Sequence, residues 1–130
     1  MTIIDPDIRK AETLPSRFYT DSKTFDSLLS SFANHWHFAA HRSQLCGVNP
    51  IDNPLREPML LTCEADELHC LSNVCTHRGM LVCSESSESR RLQCPYHGRT
   101  FGLNGQFRNM PEFSEVENFP TSADHLAHFP

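Results

Sequence analysis

The sequence predicts a mainly β protein in which an N-terminal amphipathic helix precedes a small antiparallel β domain. Apolar residues recur at helical spacing early in the chain, and from residue 37 onward the pattern changes to short extended runs separated by turn residues. A length of 130 residues with 38% hydrophobic residues is enough for one modest core. One small domain with a helical arm is therefore expected.

The helix is predicted within TDSKTFDSLLSSFANHW, residues 20–36. Asp21 or Ser22 is well placed to cap its first amide groups. The helix should run for about three turns, with His35 near its end interacting favourably with the helix dipole. We therefore assign residues 1–36 to a helical arm. The apolar face of the helix is formed by Phe25, Leu28, Leu29, Phe32 and Trp36.

The β domain is predicted from six short runs: HFAAH, MLLTC, LHCLSN, RRLQC, RTFGL and QFRNM. Asn104 and Gly105 both tolerate positive φ, which favours a two-residue type I′ hairpin at LNGQF. A second hairpin is expected at EADE, residues 64–67. The segment SESSES, residues 84–89, is polar and is expected to be a solvated loop. In HFAAH, His37 and His41 would share one face of a strand.

The charge and the N-terminal sequence restrict the class of protein. A net charge of −5, from 11 basic against 16 acidic residues, disfavours nucleic-acid binding, which needs clustered Lys and Arg. The N-terminus lacks the apolar region of a secretory signal. No apolar run approaches the roughly 18 residues needed to span a bilayer. A cytoplasmic protein with no membrane or nucleic-acid partner is expected.

Two short segments each combine a cysteine, a histidine and a glycine. One residue separates Cys75 from His77, 16 residues separate His77 from Cys94, and two residues separate Cys94 from His97. Two thiolates and two imidazoles can bind one zinc ion, or they can divide between two irons. The single residue between Cys75 and His77 is shorter than usual zinc spacing and favours the second arrangement.

Glycines and arginines flank the four candidate ligands, and four further cysteines lie elsewhere in the chain. Gly79 and Gly98 would let the backbone approach bridging sulfides closely. Arg78 and Arg99 either add positive potential at the site or are solvated surface charges. The other four cysteines have no ligand spacing and are expected to be ordinary thiols. They are Cys46, Cys63, Cys70 and Cys83.

The stretches NVCTHRGM and CPYHGRTF resemble the two cluster-binding loops of Rieske 2Fe-2S proteins. LNGQFRNMPEF is similar to the segment that follows these loops in Rieske-type non-haem iron oxygenases, and the N-terminal region resembles the start of ring-hydroxylating oxygenase alpha subunits. The resemblance implies a small antiparallel β-sandwich or barrel with a 2Fe-2S cluster at the tips of two loops. Cys75 and Cys94 would hold one iron, and His77 and His97 the other. Pro111 would belong to a third loop that shields the cluster, or would simply end a strand.

The same resemblance implies an electron-transfer function in an oxidoreductase of the hydroxylating mono- or dioxygenase class. Residues 37–119 would form the Rieske domain and residues 120–130 a linker toward a catalytic domain. That domain would hold a mononuclear non-haem iron, a reductase or a ferredoxin would supply electrons, and the full-length enzyme would form a homotrimer. This chain alone should not turn over substrate. Two alternatives are a stand-alone Rieske ferredoxin and a zinc-stabilised interaction module.

Two features of the tail and loops complete the sequence-based expectations. Asp124, His125 and His128 in the tail do not match the family's mononuclear iron motif and are expected to be a chance grouping in a frayed end.

Respiratory Rieske proteins carry two further cysteines where this chain has Met80 and Tyr96, and a serine and a tyrosine where it has Arg99 and Phe101. Losing the two hydroxyl donors predicts a midpoint near the bottom of the Rieske range of about −150 to +300 mV.

Overall fold

The computed structural model describes residues 4–53, 55 and 57–130. The chain divides into two compact units, with the division between His37 and Phe38. The first unit is helical and the second is built from antiparallel strands. In the described part of the chain, no helix has the length and apolar character that a bilayer crossing requires.

Residues 4–37 of the first unit form two α-helices, α1 (Arg17–Thr20) and α2 (Ser22–Ala33). Asp21 caps α2, because its carboxylate accepts a hydrogen bond from the Thr24 amide at 2.8 Å. The predicted helix is thus confirmed, although Trp36 lies beyond its end. No residue of α2, all of which is described, is buried within its unit.

The residues after α2 differ from the prediction. The His35 and His37 rings lie beside carbonyl oxygens of the last turn, and His37 also stacks on Phe32 with the ring centroids 5.2 Å apart. These contacts end the helix in an irregular segment, so the strand predicted at HFAAH is wrong. His41 instead caps the 3₁₀ turn Arg42–Gln44.

The described residues of the second unit form seven strands in two antiparallel sheets. In chain order they are β1 (Val48–Ile51), β2 (Met59–Glu64), β3 (Glu67–Ser72), β4 (Leu92–Gln93), β5 (Thr100–Phe101), β6 (Phe107–Asn109) and β7 (His128–Phe129). The first sheet has the order β1-β2-β3-β7 and the second β4-β5-β6. The mainly β fold with an N-terminal amphipathic helix is therefore confirmed.

Both predicted hairpins are present, and one of them has a different turn. β2 and β3 join through a two-residue turn in which Glu64 faces Glu67, as expected. Between β5 and β6, the Gly102 amide donates to the Gln106 carbonyl at 2.8 Å, which encloses three loop residues instead of two. Only Gly105 among these three has positive φ, at 75°, so the turn is not type I′.

The core lies between the two sheets and receives side chains from both. Thr62 on β2 is fully buried, and its hydroxyl donates to the Leu103 carbonyl in the β5–β6 loop, which joins one sheet to the other. The buried apolar residues of the core are Val48, Leu60, Leu71, Cys75, Val82, Leu92, Cys94, Phe101, Leu103 and Leu126.

Residues 120–130, predicted as a linker with a frayed end, instead belong to the second unit. Leu126 is 2% exposed, and its amide donates to the Gly105 carbonyl at 2.9 Å. Phe129 on β7 then pairs with Cys70 on β3. The segment is ordered because it covers an otherwise open sheet edge and completes the core.

The polar segment SESSES is exposed, as predicted. It is nevertheless anchored, because Ser87 and Val48 exchange two backbone hydrogen bonds of 2.8 and 2.9 Å. This contact holds the loop against the free side of β1.

Candidate metal centre

The first Cys/His loop follows β3 and is closed by its own backbone. The Gly79 amide donates to the Cys75 carbonyl at 3.0 Å, and the Cys75 amide donates to the Met80 carbonyl at 2.8 Å. Val74 and Leu81 form an isolated bridge at the base of the loop. The side chains of Cys75 and His77 are thereby held on one tight turn.

The second loop lies between β4 and β5 and repeats the same arrangement. The Gly98 amide donates to the Cys94 carbonyl at 3.1 Å, and the Cys94 amide donates to the Arg99 carbonyl at 2.8 Å. In both loops the hydrogen bonds therefore join the cysteine to the fourth and fifth residues after it. The two loops are structural equivalents, although the histidine is one residue later in the second.

The two loops bring the four predicted ligands together in pairs of the same residue type. Cys75 and Cys94 are each 2% exposed and belong to the same buried core cluster, and Cys94 is close enough to contribute to the raised pKa of Cys75. The His77 and His97 rings meet edge to face with centroids 4.8 Å apart. The cysteines thus lie in the core, and the histidines lie nearer the solvent.

The local electrostatics follow from this placement. Burial, with a smaller contribution from Cys94, raises the pKa of the Cys75 thiol. Desolvation is the main cause that lowers the pKa of His77, and the neighbouring His97, Arg78 and Arg99 lower it further. A lowered pKa favours the neutral imidazole, which is the form that binds metals.

A third segment covers the two loops. A Cβ atom added to Gly98 would lie 3.3 Å from Cγ of Pro111, and Phe113 meets His77 edge to face with centroids 5.9 Å apart. Pro111 therefore packs on the second loop, in agreement with a shielding segment. Tyr96 stacks on the other histidine, with its ring centroid 3.8 Å from that of His97.

Arg99 is buried, which excludes one of the two interpretations given for it, that of a solvated surface charge. It is 3% exposed, and its guanidinium group donates to the Thr76 hydroxyl and the Asp124 carboxylate. Arg78, by contrast, is exposed. The hydrogen bonds and the neighbouring arginine lower the pKa of Asp124, with the Thr121 amide as the largest cause.

The tail residues have structural contacts that were not predicted from the sequence. The Asp124 side chain accepts from the Thr121 amide while the Thr121 hydroxyl accepts from the Ala123 amide, as part of a capping box. The spacing Thr-x-x-Asp in TSAD is a signature of this motif and could have indicated an ordered turn. His125 accepts from the Phe107 amide, and His128 lies 3.0 Å from the Asn104 carbonyl. The three tail residues therefore have separate structural contacts.

The donor set fits a two-iron cluster with unlike ends. Two adjacent buried thiols can serve one iron, and two adjacent imidazoles can serve the other. In residues 4–53, 55 and 57–130 no three His, Cys, Asp or Glu side chains are grouped as ligands of a single ion. The other four cysteines are free thiols; Cys46 is exposed and the remaining three are partly buried.

Comparison with known proteins decides the family. The family described as the Rieske [2Fe-2S] domain matches residues 35–120. This chain belongs to that family. A Rieske 2Fe-2S cluster is therefore its cofactor, and the matched region includes both loops and the segment that covers them.

The relatives of this Rieske chain include oxygenase subunits. The carnitine monooxygenase oxygenase subunit of Escherichia coli K12 is 32% identical over 123 residues, which cover 91% of this chain and 33% of that protein. A crystal structure of a quaternary ammonium Rieske monooxygenase with L-carnitine has a TM-score of 0.80 at 29% identity, covering 91% of this chain and 35% of that one. Naphthalene 1,2-dioxygenase from Rhodococcus sp. has a TM-score of 0.77 at 26% identity, covering 89% and 28% respectively. The chain thus spans about a third of the length of these relatives.

Proposed function

We propose that this Rieske domain transfers single electrons through a cluster held by Cys75 and Cys94 on one iron and by His77 and His97 on the other. The observation that supports this assignment is the sorting of the four side chains into a buried cysteine pair and a more exposed histidine pair. A cluster with two cysteine ligands on one iron and two histidine ligands on the other requires the cysteines and the histidines to lie in separate pairs.

The chain's own residues would define both ends of the electron path. When bound, such a cluster accepts and donates one electron at a time. The buried thiols keep water from the inner end, since both cysteines lie in the hydrophobic core. His97, with Tyr96 stacked on it, is exposed and would provide the outer end of the path.

The whole protein is proposed to be a Rieske-type hydroxylating oxygenase, of which this chain is the N-terminal part. A reductase or a ferredoxin would deliver electrons in the cytoplasm, and a mononuclear iron on a further domain would receive them. The related oxygenase subunits support this proposal, because each is about three times as long as this chain. The full-length enzyme would be a homotrimer, and the chain alone would not oxidise substrate. Residues 1–36 would form an arm, and the Rieske domain would start at residue 37 and extend past 119 to include β7.

The ligand assignment is tested by Cys94→Ser with Cys63→Ser as a control. The purified protein should contain iron and sulfide in equal amounts and be reddish brown. Cys94→Ser should lose both elements, because it removes a ligand from the core. Cys63→Ser should retain them, because Cys63 lies on β2 outside the two loops. A Cys94→Ser variant with an unchanged visible spectrum would show that the ligand set is wrong, and zinc in the unmodified protein would favour the interaction module.

A further inference from the structure

We propose that Arg99 is a positioning residue for the cluster and that its ion pair with Asp124 sets the midpoint potential. This inference rests on the proposed function, since it concerns the same site. It assigns a new role to a charged pair in which the Arg99 side chain contacts Met110, Thr76 and Asp124, none of which is a proposed ligand.

Arg99 joins three separate segments of the chain. Its Nη1 atom donates to the Thr76 hydroxyl at 2.7 Å and to a carboxylate oxygen of Asp124 at 3.1 Å. Its Nε atom lies 3.3 Å from the sulfur of Met110, at the start of the covering segment. Thr76 lies between Cys75 and His77, so one guanidinium group on the second loop holds the first loop as well.

The surroundings of Arg99 strengthen the electrostatic effect of its charge on neighbouring groups. The guanidinium carbon lies 5.3 and 5.4 Å from the ring centroids of Phe107 and Phe119, so aromatic rings replace water around it. A charge that is removed from water needs a close partner, and it acts more strongly on its neighbours than an exposed charge does. Asp124 is that partner, with a 3.1 Å ion pair.

Asp124 is fixed independently of Arg99. Its second carboxylate oxygen accepts from the Thr121 amide at 2.8 Å and from the Thr121 hydroxyl at 3.0 Å. Its carbonyl oxygen also accepts from the Thr76 hydroxyl at 2.9 Å. The carboxylate should therefore stay in place when Arg99 is changed, and the first loop remains attached to the tail.

Removing one charge at a time gives opposite predictions for the midpoint. Asp124→Asn leaves a buried positive charge beside the two loops, which stabilises the added electron and raises the midpoint. Arg99→Met leaves the carboxylate uncompensated and lowers the midpoint. If the ion pair had only a structural role, both substitutions would break the same contact. The midpoint would then shift in the same direction in both variants, or not at all.

The test is a redox titration of the cluster-loaded protein followed by electron paramagnetic resonance. Each single variant should change the equilibrium constant for one-electron reduction by about tenfold, which is about 59 mV. The double variant, Arg99→Met with Asp124→Asn, should return close to the original midpoint. The matched control is the exposed ion pair Arg42–Asp66, which is 3.0 Å long and whose variants Arg42→Met and Asp66→Asn should leave the midpoint unchanged.

Each outcome separates this inference from the proposed function. Absence of iron and sulfide in the unmodified protein would overturn the proposed function itself. A loaded protein whose two single variants shift in the same direction, or not at all, would overturn only the role of Arg99. If the single variants fail to retain iron, the double variant provides the test. Better iron retention than in the single variants, together with the original midpoint, would support the role of charge balance. Equally poor iron retention would overturn that role.

Discussion

Gly79 and Gly98 occupy the same position in their loops, four residues after Cys75 and Cys94. Their φ angles are 69° and 71°, in the left-handed region that disfavours side chains. Their surroundings differ, because no atom lies within 4 Å of a Cβ built on Gly79, whereas Pro111 lies 3.3 Å from one built on Gly98. The two positions therefore separate backbone strain from packing of the covering segment.

Replacing each glycine by alanine should distinguish these two effects. Gly79→Ala should reduce the free energy of unfolding by about 1 to 2 kcal/mol, which is the cost of the left-handed conformation. Gly98→Ala should cost more, because the methyl group also displaces Pro111. Urea titration of both loaded variants, followed by visible absorbance, measures the difference. Equal losses would show that Pro111 does not pack closely on the second loop.

At the residue level the sequence predicted the ligand loops, but it could not decide whether Arg99 is buried or solvated. Spacing and resemblance predicted that Cys75, His77, Cys94 and His97 would come together, and the loops do place them in two pairs. An arginine is usually solvated, and its burial depends on an aspartate 25 residues away in the sequence. Such a distant partner cannot be identified from local pattern.

Among the secondary-structure elements, the buried Thr62 hydroxyl group and the C-terminal segment both connect the two sheets. Thr62 on β2 donates to the Leu103 carbonyl, and Leu103 is 3% exposed. Leu126 packs into the same core and hydrogen-bonds to the β5–β6 loop. This loop is therefore held by β2 on one side and by the C-terminal segment on the other.

Thr62→Val should weaken the connection between the sheets without creating a cavity. Valine has nearly the same shape but cannot donate, so the buried Leu103 carbonyl loses this partner at a cost of about 1 to 3 kcal/mol. The control is Thr100→Val, because the Thr100 hydroxyl donates to the exposed Asn109 carbonyl, which water can satisfy. Urea unfolding of both variants should show the larger loss for Thr62→Val. A similar loss in both would contradict a special role for the buried bond.

The elements with strong local signals were predicted, and those made by tertiary contacts were not. The β2–β3 hairpin follows from apolar runs around EADE, and α2 from its spacing and cap. β7 has only two residues, His128 and Phe129, and exists because β3 offers it an edge. Conversely, HFAAH has the pattern of a strand but lies just after α2, where His37 packs back on the helix. In both cases a nonlocal or neighbouring contact outweighed the local pattern.

At the scale of the whole molecule, the second unit contains every group that the proposed electron path requires. Its core includes both cysteines, and its C-terminal segment supplies the partly buried Asp124 that pairs with buried Arg99. Phe101 is fully buried and has no hydroxyl to donate, so the prediction of a low midpoint stands. The paired charge of Arg99 does not replace the missing donor, because Asp124 balances it. A low midpoint would suit delivery of electrons to an oxygen-activating iron.

The central claim is that two histidines and two cysteines bind opposite ends of one cluster. Pulsed electron paramagnetic resonance on dithionite-reduced protein with isotope-labelled histidine tests it most directly, since only nitrogen bound to iron couples strongly to the unpaired electron. We expect two strong couplings, one from His77 and one from His97. A paramagnetic cluster with no histidine coupling, or protein that contains no iron after anaerobic preparation, would contradict the account.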